Sequence, residues 1–489
     1  MLISRKIIKI LWITFYGSLL YNIFLNLNSS FAQDVPLRVS ESVDSVIADL
    51  KYYIPDRMNE SEVPGLAIAL IRNNQIIWTE GFGVTNRLTG SPVSSKTVFE
   101  VASISKVVTA YIALRLVEEG KLSIDKPVHN YLKKPWLPPS DFADKITLRH
   151  LLSHSSGLGD DVLFNNKSIM FEPGTDFLYS GFGAEYVREL IEQVTDESIE
   201  DIAREKVFKL LNMTSSSFIN ETGVMNLMAN GHMRYLMISM FFLFPFIGIV
   251  VIVGIITLIL NRLIKRRWHL AMQLKIGAGV FAFILSELLL YIFLGKPFPN
   301  IIWMTILFAL VFFVFLFLLY VFIQRMISLI EPLRKKKVLK ATIKILLMIV
   351  SIVVFLKITN SYTGPVPKNH SDVASAIGSL RSTAPDLATF LIELSNPRYL
   401  SEDIASQIDS VQVNINQDFS WGLGIGIQHS SQGDAIWQNA NTFAFRGIMV
   451  IYPHDGHGVV VLTNSESGLP VAYDVAGRAL GGKAKWIFF

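Results

Sequence analysis

The 489-residue chain contains no cysteine. This absence excludes disulfide bonds, thiolate metal sites, a cysteine nucleophile and a lipid-modified N-terminal cysteine. Charge is also scarce, since Asp, Glu, Lys and Arg make up 17% of the residues and the net charge is only +4. The basic residues lie beside apolar runs and form no stripe with interleaved aromatic residues. Nucleic acid is therefore not expected as a partner.

Apolar residues, in contrast, are abundant. They make up 51% of the chain, and the mean hydropathy is +0.42. Both values are too high for a protein that lies wholly in water. The composition therefore predicts that part of the chain lies in lipid.

Residues 1–32 have the order of a signal peptide. Basic residues up to Lys9 precede an apolar run that ends at Leu27, and small residues follow. Ala32 is the predicted last residue before cleavage, and an uncleaved anchor that begins at Ile7 is the alternative. With either interpretation, we expect the residues that follow to be exported.

Four apolar runs occupy the middle of the chain, at residues 235–260, 276–294, 301–323 and 341–358. The first and third have no charged residue and exceed the roughly 20 residues that a membrane-spanning helix needs. Basic residues gather in the first and third connections between the runs, which the positive-inside rule assigns to the cytoplasm. The pattern predicts four transmembrane helices within residues 234–358, a multi-pass location in the cell membrane, and membrane lipid as a partner.

A serine and a lysine stand three residues apart in the stretch Phe99-Glu-Val-Ala-Ser-Ile-Ser-Lys106. An apolar helical pattern follows and ends at Gly120, so Ser103 and Lys106 share one helix face. A serine hydroxyl alone is a poor nucleophile, and a partly desolvated lysine amine at a helix N-terminus can lose its proton and act as its base. The pair is a candidate catalytic site, although such a match by itself also arises at ordinary solvated helix starts.

Further motifs occur on both sides of this pair. They are a strand, turn and strand at residues 63–78, the block Ile146-Thr-Leu-Arg-His-Leu-Leu-Ser-His-Ser-Ser-Gly-Leu158, the segment 172–183, and the runs 419–426 and 458–464. Together they resemble the serine β-lactamase and penicillin-binding-protein superfamily, in its class C-like branch of esterases and peptidases. The resemblance covers nearly all of residues 40–232 and 371–485.

The resemblance implies an α/β (α+β) fold of the β-lactamase/transpeptidase type, with an antiparallel sheet flanked by helices and a helical subdomain. We expect residues 33–233 and 359–489 to form the two parts of this domain, interrupted by the four-helix transmembrane insertion. Residues before and after the insertion must meet at one active site. An even number of membrane spans permits this.

The resemblance also implies the roles of individual residues. Tyr179 matches the catalytic tyrosine, which acts as a base only where cations such as Lys106 favour its ionised form. Gly181 stands where relatives carry an asparagine, and this removes one side-chain donor that could orient a substrate carbonyl. The structural alternative for Tyr179 is a core tyrosine in a turn.

The third expected element lies on a strand across the cleft. Gln438, Asn439 and Ala440 stand where relatives carry, in this order, lysine or histidine, a variable residue, and glycine. Glutamine offers a hydrogen bond without charge, so we expect carboxylate-bearing β-lactams to be poor substrates. By position, the backbone N–H of Asn441 joins that of Ser103 as the oxyanion hole.

His150 and His154 stand four residues apart, which suggests a metal pair on a helix. No glutamate follows His150, as the zinc-protease motif requires. We therefore interpret both as structural, hydrogen-bonded histidines and expect no metal and no cofactor.

The favoured function is a membrane-anchored extracytoplasmic serine hydrolase that forms an acyl-enzyme on Ser103 from an ester, a peptide amide or a β-lactam. Lys106 and Tyr179 would share the proton transfers, and either could be the dominant base. One alternative is a sensor that binds cell-wall fragments or β-lactams and signals through the membrane helices. Another is a small transporter, which only Glu287 in the second apolar run favours.

Overall fold

The computed structural model describes residues 35–159, 167–234, 363–366, 368 and 372–482. The chain divides into two compact units, Met1–Gly231 with Asn369–Phe489, and His232–Lys368. The first unit therefore combines segments from both ends of the sequence.

The strands, numbered in chain order, are β1 (Gly65–Arg72), β2 (Gln75–Gly83), β3 (Phe99–Glu100), β4 (His232–Arg234), β5 (Thr363–Pro365), β6 (Arg381–Ser382), β7 (Val413–Asn414), β8 (Phe419–Trp421), β9 (Gly426–Gln428), β10 (Ala435–Asn441), β11 (Arg446–Tyr452) and β12 (His457–Thr463). The α-helices are α1 (Val43–Glu60), α2 (Ile104–Glu118), α3 (Leu148–Leu152), α4 (Gly181–Thr195), α5 (Ile199–Ala203), α6 (Thr222–Leu227), α7 (Ala384–Ser395), α8 (Glu402–Ala405) and α9 (Gly468–Leu480). Short 3-10 helices lie at Arg38–Ser40, Val128–Tyr131 and Ala143–Lys145, and a π-helical turn at Arg204–Phe208 continues α5. In the second unit, β4 pairs antiparallel with β5.

The first unit is built on an eight-stranded antiparallel sheet with the order β2-β1-β12-β11-β10-β9-β8-β7. The hairpin between β1 and β2 turns at Asn73 and Asn74, both of which have positive φ, as tight hairpins require. On its other side β1 pairs with β12, with Leu66 opposite Thr463. Residues from before and after the second unit thus share one sheet.

One face of the sheet packs against α1 and α9. Helix α1 buries a residue at every fourth position, Val46, Leu50, Ile54 and Met58, which is the spacing of a single helix face. Strand β1 is buried along seven of its eight residues, because it lies inside the sheet with helices on both sides. This pattern reads in sequence as a continuous apolar run.

Helix α2 lies on the other side of the sheet and is buried almost all round. It is fastened to α7 by Glu393, a fully buried carboxylate. The Tyr111 hydroxyl donates to Glu393 Oε1 over 2.8 Å, and the backbone N–H groups of Arg398 and Tyr399 donate to the same oxygen. At its C-terminal end the chain turns at Gly120, which has a φ of +69°, as the sequence predicts. A firmly held α2 gives its N-terminus a defined position.

The membrane prediction needs correction. Within the described ranges, every helix is too short or too polar to cross a bilayer. Helix α1 has 18 residues but carries charges such as Asp49 and Lys51, and the apolar α2 has only 15 residues, about 22 Å at 1.5 Å per residue. This finding contradicts the four-helix transmembrane insertion and the multi-pass location in the cell membrane. The four apolar runs and the predicted signal peptide at residues 1–32 lie outside the described residues.

Candidate active site

Ser103 lies at the turn that begins α2. The residue before it, Ala102, has a φ of +47°, a left-handed conformation that costs free energy for a residue with a side chain and that is common at functional sites. Ser103 itself is partly exposed. Its Oγ lies 3.0 Å from the Nζ of Lys106, one helical turn further on. The serine and lysine therefore meet on one helix face, in the geometry that their spacing predicts.

The Lys106 side chain is 8% exposed and has two further neighbours. Its Nζ donates to the backbone carbonyl of Ile377 over 2.9 Å, and it lies 5.1 Å from the centre of the Tyr179 ring. Ile377 belongs to the segment that follows the second unit in sequence. The amine is thus held between a serine hydroxyl, a carbonyl oxygen and an aromatic face.

Tyr179 stands just before α4, and its neighbour Ser180 caps that helix. The Ser180 Oγ accepts from the backbone N–H of Gly183 over 2.9 Å, so Ser180 has a structural task here. The Tyr179 ring packs against His154 and Trp421, with ring centres 4.4 and 5.6 Å away. These aromatic walls limit how far the phenol can move.

Gln438 reaches Tyr179 from the sheet. Its Nε2 donates to the Tyr179 hydroxyl oxygen at 3.4 Å, a long hydrogen bond, and to the Asn439 carbonyl at 3.1 Å. The residue is 3% exposed, and its Oε1 accepts no hydrogen bond from the described residues. The place that the resemblance assigns to a cation therefore holds a buried neutral amide.

Ala440 and Asn441, the two other predicted site residues on the sheet, follow Gln438 on β10. Ala440, 1% exposed, pairs with Gly447 across the ladder, and Asn441 ends the strand opposite Arg446. Side chains two apart on a strand point to the same face, so the methyl group of Ala440 lies on the face that carries Gln438. A buried methyl group thus occupies the position that the resemblance assigns to a glycine.

His154 faces the site as a neutral group. Burial, together with the nearby Lys106 charge, lowers the pKa of His154 from 6.5 to about 3. Its Nδ1 accepts from the backbone N–H of Ser180 over 3.2 Å, while the Nδ1 of His150 accepts from the N–H of Thr147 in a capping box. Each predicted structural histidine thus has a structural hydrogen bond.

The lowered pKa makes folding stability depend on pH. Above pH 6.5 the imidazole is neutral in both the folded and the unfolded states. Below pH 6.5 the His154 imidazole is protonated in the unfolded chain but stays neutral in the folded protein. The free energy of unfolding therefore falls as the pH decreases from 6.5 toward 3. The decrease in the free energy of unfolding that His154 causes reaches about 1.4 kcal/mol at one pH unit below 6.5.

We expect the His154→Gln variant to lose less stability than the wild type between pH 7 and 5.5, because glutamine does not titrate. Urea unfolding at several pH values measures this difference in slope. His457, whose pKa burial lowers to about 4, contributes equally to both proteins. The control is His454→Gln, since the His454 side chain is 95% exposed. Equal slopes for His154→Gln and wild type would contradict the prediction.

A second serine and histidine lie elsewhere on the sheet. The Ser420 Oγ is 2.7 Å from the Nε2 of His429, whose Nδ1 is 3.0 Å from Asp434 Oδ2. Ser420 is fully buried and its Oγ also bonds Asn414. A hydroxyl in that position cannot meet a substrate carbonyl carbon, so this cluster ties strands together.

Three contributors to the site escaped the sequence analysis. They are the Ile377 carbonyl, the Trp421 ring and Glu185, which holds the Ile377 segment through the Ile377 N–H at 3.3 Å. Trp421 lies within a motif that carries the resemblance, but its contact with Tyr179 has no local signature. A backbone carbonyl leaves no side-chain signal at all.

Comparisons with known proteins agree with this architecture. The Beta-lactamase family model matches residues 50–234. Penicillin-binding protein 4 of Amycolatopsis lactamdurans is 28% identical over 190 residues, which are 36% of this chain and 50% of that protein. Esterase EstB of Burkholderia gladioli is 31% identical over 125 residues, 25% of this chain and 32% of that protein. The chain thus spans half or less of the length of these curated relatives.

Solved structures extend the likeness to the rest of the fold. The D-alanine carboxypeptidase AmpC from Burkholderia cenocepacia superposes with a TM-score of 0.55 at 14% identity, covering 89% of this chain and 99% of that one. At this identity the likeness concerns the fold alone. The resemblance read from the sequence is supported, whereas its extension to an inserted multi-span membrane region is not. The described part of the chain has the α/β fold of the β-lactamase and penicillin-binding-protein superfamily.

Proposed function

We propose that the protein is a serine hydrolase that forms an acyl-enzyme on Ser103 from a carboxylic ester or amide. The observation that carries the proposal is the 3.0 Å distance between Ser103 Oγ and Lys106 Nζ. A nucleophile and a base within hydrogen-bonding reach, with the base held by a third group, is the arrangement that covalent catalysis needs. Here the third group is the Ile377 carbonyl.

The reaction has two steps, acylation of Ser103 and hydrolysis of the acyl-enzyme. Ser103 Oγ attacks the carbonyl carbon while its proton passes to the base, which is either the Lys106 Nζ or the Tyr179 phenol oxygen. Lys106 or Tyr179 then gives a proton to the leaving alcohol or amine as its bond to the carbonyl carbon breaks, and the acyl group stays on Ser103. Water then attacks the ester carbon, gives its proton to the same base, and releases the acid as Ser103 regains its hydrogen.

Negative charge on the substrate carbonyl oxygen needs donors. We assign these to the backbone N–H groups of Ser103 and Asn441, at the N-terminus of α2 and the end of β10. Donors fixed before the reaction stabilise the developing charge without reorganisation. The positive end of the α2 dipole adds to this stabilisation.

The substrate class follows from the charges around Tyr179. Gln438 places a neutral amide beside the phenol, which favours acyl donors without a carboxylate at that point. The name of one relative, an esterase, supports carboxylic esters as substrates. We therefore propose neutral esters, with peptide amides and β-lactams as poorer substrates.

The test is labelling with a fluorophosphonate probe, followed by peptide mapping and by assay of p-nitrophenyl ester hydrolysis. We expect labelling on Ser103 and ester turnover in the wild type, and neither in Ser103→Ala. The Ser420→Ala variant is the matched control and should be labelled normally, because its hydroxyl is buried. Labelling of another residue, or none, would overturn the proposal.

A binding role without turnover is the second candidate. The replacements at Gly181 and Gln438 favour it, because each removes a group that relatives use. Its result in the same experiment is distinct, namely stable labelling of Ser103 with no ester hydrolysis.

A further inference from the structure

The position of Lys106 depends on a short loop from the C-terminal segment. This loop, residues 375–379, presents the Ile377 carbonyl that accepts from Lys106 Nζ over 2.9 Å. It also packs against the turn before Ser103, since a Cβ on Gly378 would lie 3.5 Å from the Ala102 Cα. The loop therefore touches the catalytic turn and the candidate base together.

One end of the loop is fastened to the chain around Ser103. The N–H of Leu380 donates to the Ser105 Oγ over 3.0 Å, and the carbonyl of Leu380 accepts from the N–H of Val101, also over 3.0 Å. These bonds fix the exit of the loop. They do not reach the entry of the loop, where the Ser375 N–H donates to Ser379 Oγ over 2.8 Å and the Ile377 N–H donates to Ser375 Oγ over 3.1 Å.

Glu185 holds the entry. Its Oε1 accepts from the Ser375 hydroxyl and from the N–H of Ile377, the latter over 3.3 Å. Its other oxygen accepts from the Arg188 Nε over 2.6 Å, and the side chain is only 14% exposed. A shielded carboxylate that accepts from donors on two elements is a strong anchor.

The same helix fixes both sides of Lys106. Tyr179 precedes α4 by two residues, and Glu185 lies in its second turn. Helix α4 therefore sets the phenol on one side of the amine and, through the loop, the carbonyl on the other.

We infer that Glu185 is a positioning residue for the Lys106 base, an inference that rests on the proposed function. The carboxylate fixes the loop, and the Ile377 carbonyl then keeps the amine within reach of Ser103 Oγ. Without this anchor the long lysine side chain has other rotamers to adopt. A displacement of about 1 Å at a reacting group can cost up to a hundredfold in rate.

The test uses the full chain and the fluorophosphonate probe, with the labelling rate measured against probe concentration. We expect Glu185→Ala to lower the maximal rate about tenfold, because the base is displaced, while the half-saturating probe concentration changes less than about twofold. Glu185→Gln keeps an acceptor oxygen and should stay within about threefold of the wild type. If Glu185 only stabilised the fold, its replacement would not lower the maximal labelling rate while leaving the half-saturating probe concentration nearly unchanged.

Glu189 supplies the matched control. It lies one turn further along α4, is 28% exposed, and accepts from Gln193 over 2.7 Å. It also lies near Arg188, at 3.7 Å, so Glu189→Ala removes a comparable charge without touching the loop. We expect its labelling kinetics to equal those of the wild type.

A wild-type maximal rate in folded Glu185→Ala would overturn the inference and leave the proposed function intact. If that variant does not fold, Ser375→Ala decides, since it removes both the hydroxyl that donates to Glu185 and the oxygen that accepts from the Ile377 N–H. An unchanged maximal rate in Ser375→Ala would then overturn the inference. A wild type that is not labelled on Ser103 overturns the proposed function and this inference with it.

Discussion

Replacing Lys106 with methionine is expected to lower the maximal rate of Ser103 acylation by about a thousandfold, within the usual range for a general base. Methionine has a similar length and packs in the same partly apolar space, so the fold should persist. What is lost is the group 3.0 Å from Ser103 Oγ that can take its proton. Pre-steady-state hydrolysis of a p-nitrophenyl ester measures the acylation step directly.

Lys121→Met is the control for this prediction. Lys121 follows the same helix, at its C-terminal end, and its side chain is 49% exposed. The double variant Lys106→Met with Tyr179→Phe should be little slower than Lys106→Met alone if the two groups act as a unit. A loss of less than about tenfold in Lys106→Met would assign the role of base to Tyr179 instead.

Introducing a cation at Gln438 is expected to change substrate preference. In Gln438→Lys, an ammonium group would stand beside Tyr179, where a neutral amide now lies. A charge-assisted hydrogen bond to a carboxylate is worth about 1.5–3 kcal/mol, which corresponds to roughly ten- to a hundredfold in kcat/KM. We therefore expect the ratio of kcat/KM for a carboxylate-bearing substrate to that for its methyl ester to rise by this factor.

Gln438→Met is the uncharged control and should leave the ratio near its wild-type value. Methionine removes the two hydrogen bonds that the Gln438 Nε2 donates, to the Tyr179 hydroxyl and to the Asn439 carbonyl, and it introduces no charge. The measurement is kcat/KM for two substrates, the free acid and its methyl ester, with the wild type, Gln438→Lys and Gln438→Met. An unchanged ratio in Gln438→Lys would mean that substrate carboxylates bind elsewhere.

The membrane prediction shows where local reasoning is weakest. Apolar runs of sufficient length do resemble transmembrane helices in sequence, but length and hydropathy describe only the segment itself. The described helices illustrate the difference. Helix α2 is mostly apolar and lies in the interior of the first unit, where all but three of its 15 residues are buried.

Local features, in contrast, were predicted well. The strand, turn and strand predicted at residues 63–78 correspond to the β1–β2 hairpin, and the spacing of Ser103 and Lys106 predicted their shared helix face. The general fold followed from a resemblance spread over several motifs. Features of this kind depend on residues that are close in sequence, and the backbone geometry of a helix or hairpin fixes their relation.

The amino-acid order alone thus determined the nucleophile and base candidates, the hairpin and helix that frame them, and the neutral residue at position 438. The tertiary structure decided what surrounds them: the Ile377 carbonyl on Lys106, the neutral His154 and Trp421 around Tyr179, and the hold of Glu185 on the loop. These contacts join residues up to 271 positions apart. They arise from chain packing, which brings together groups whose sequence neighbours carry no sign of the partner.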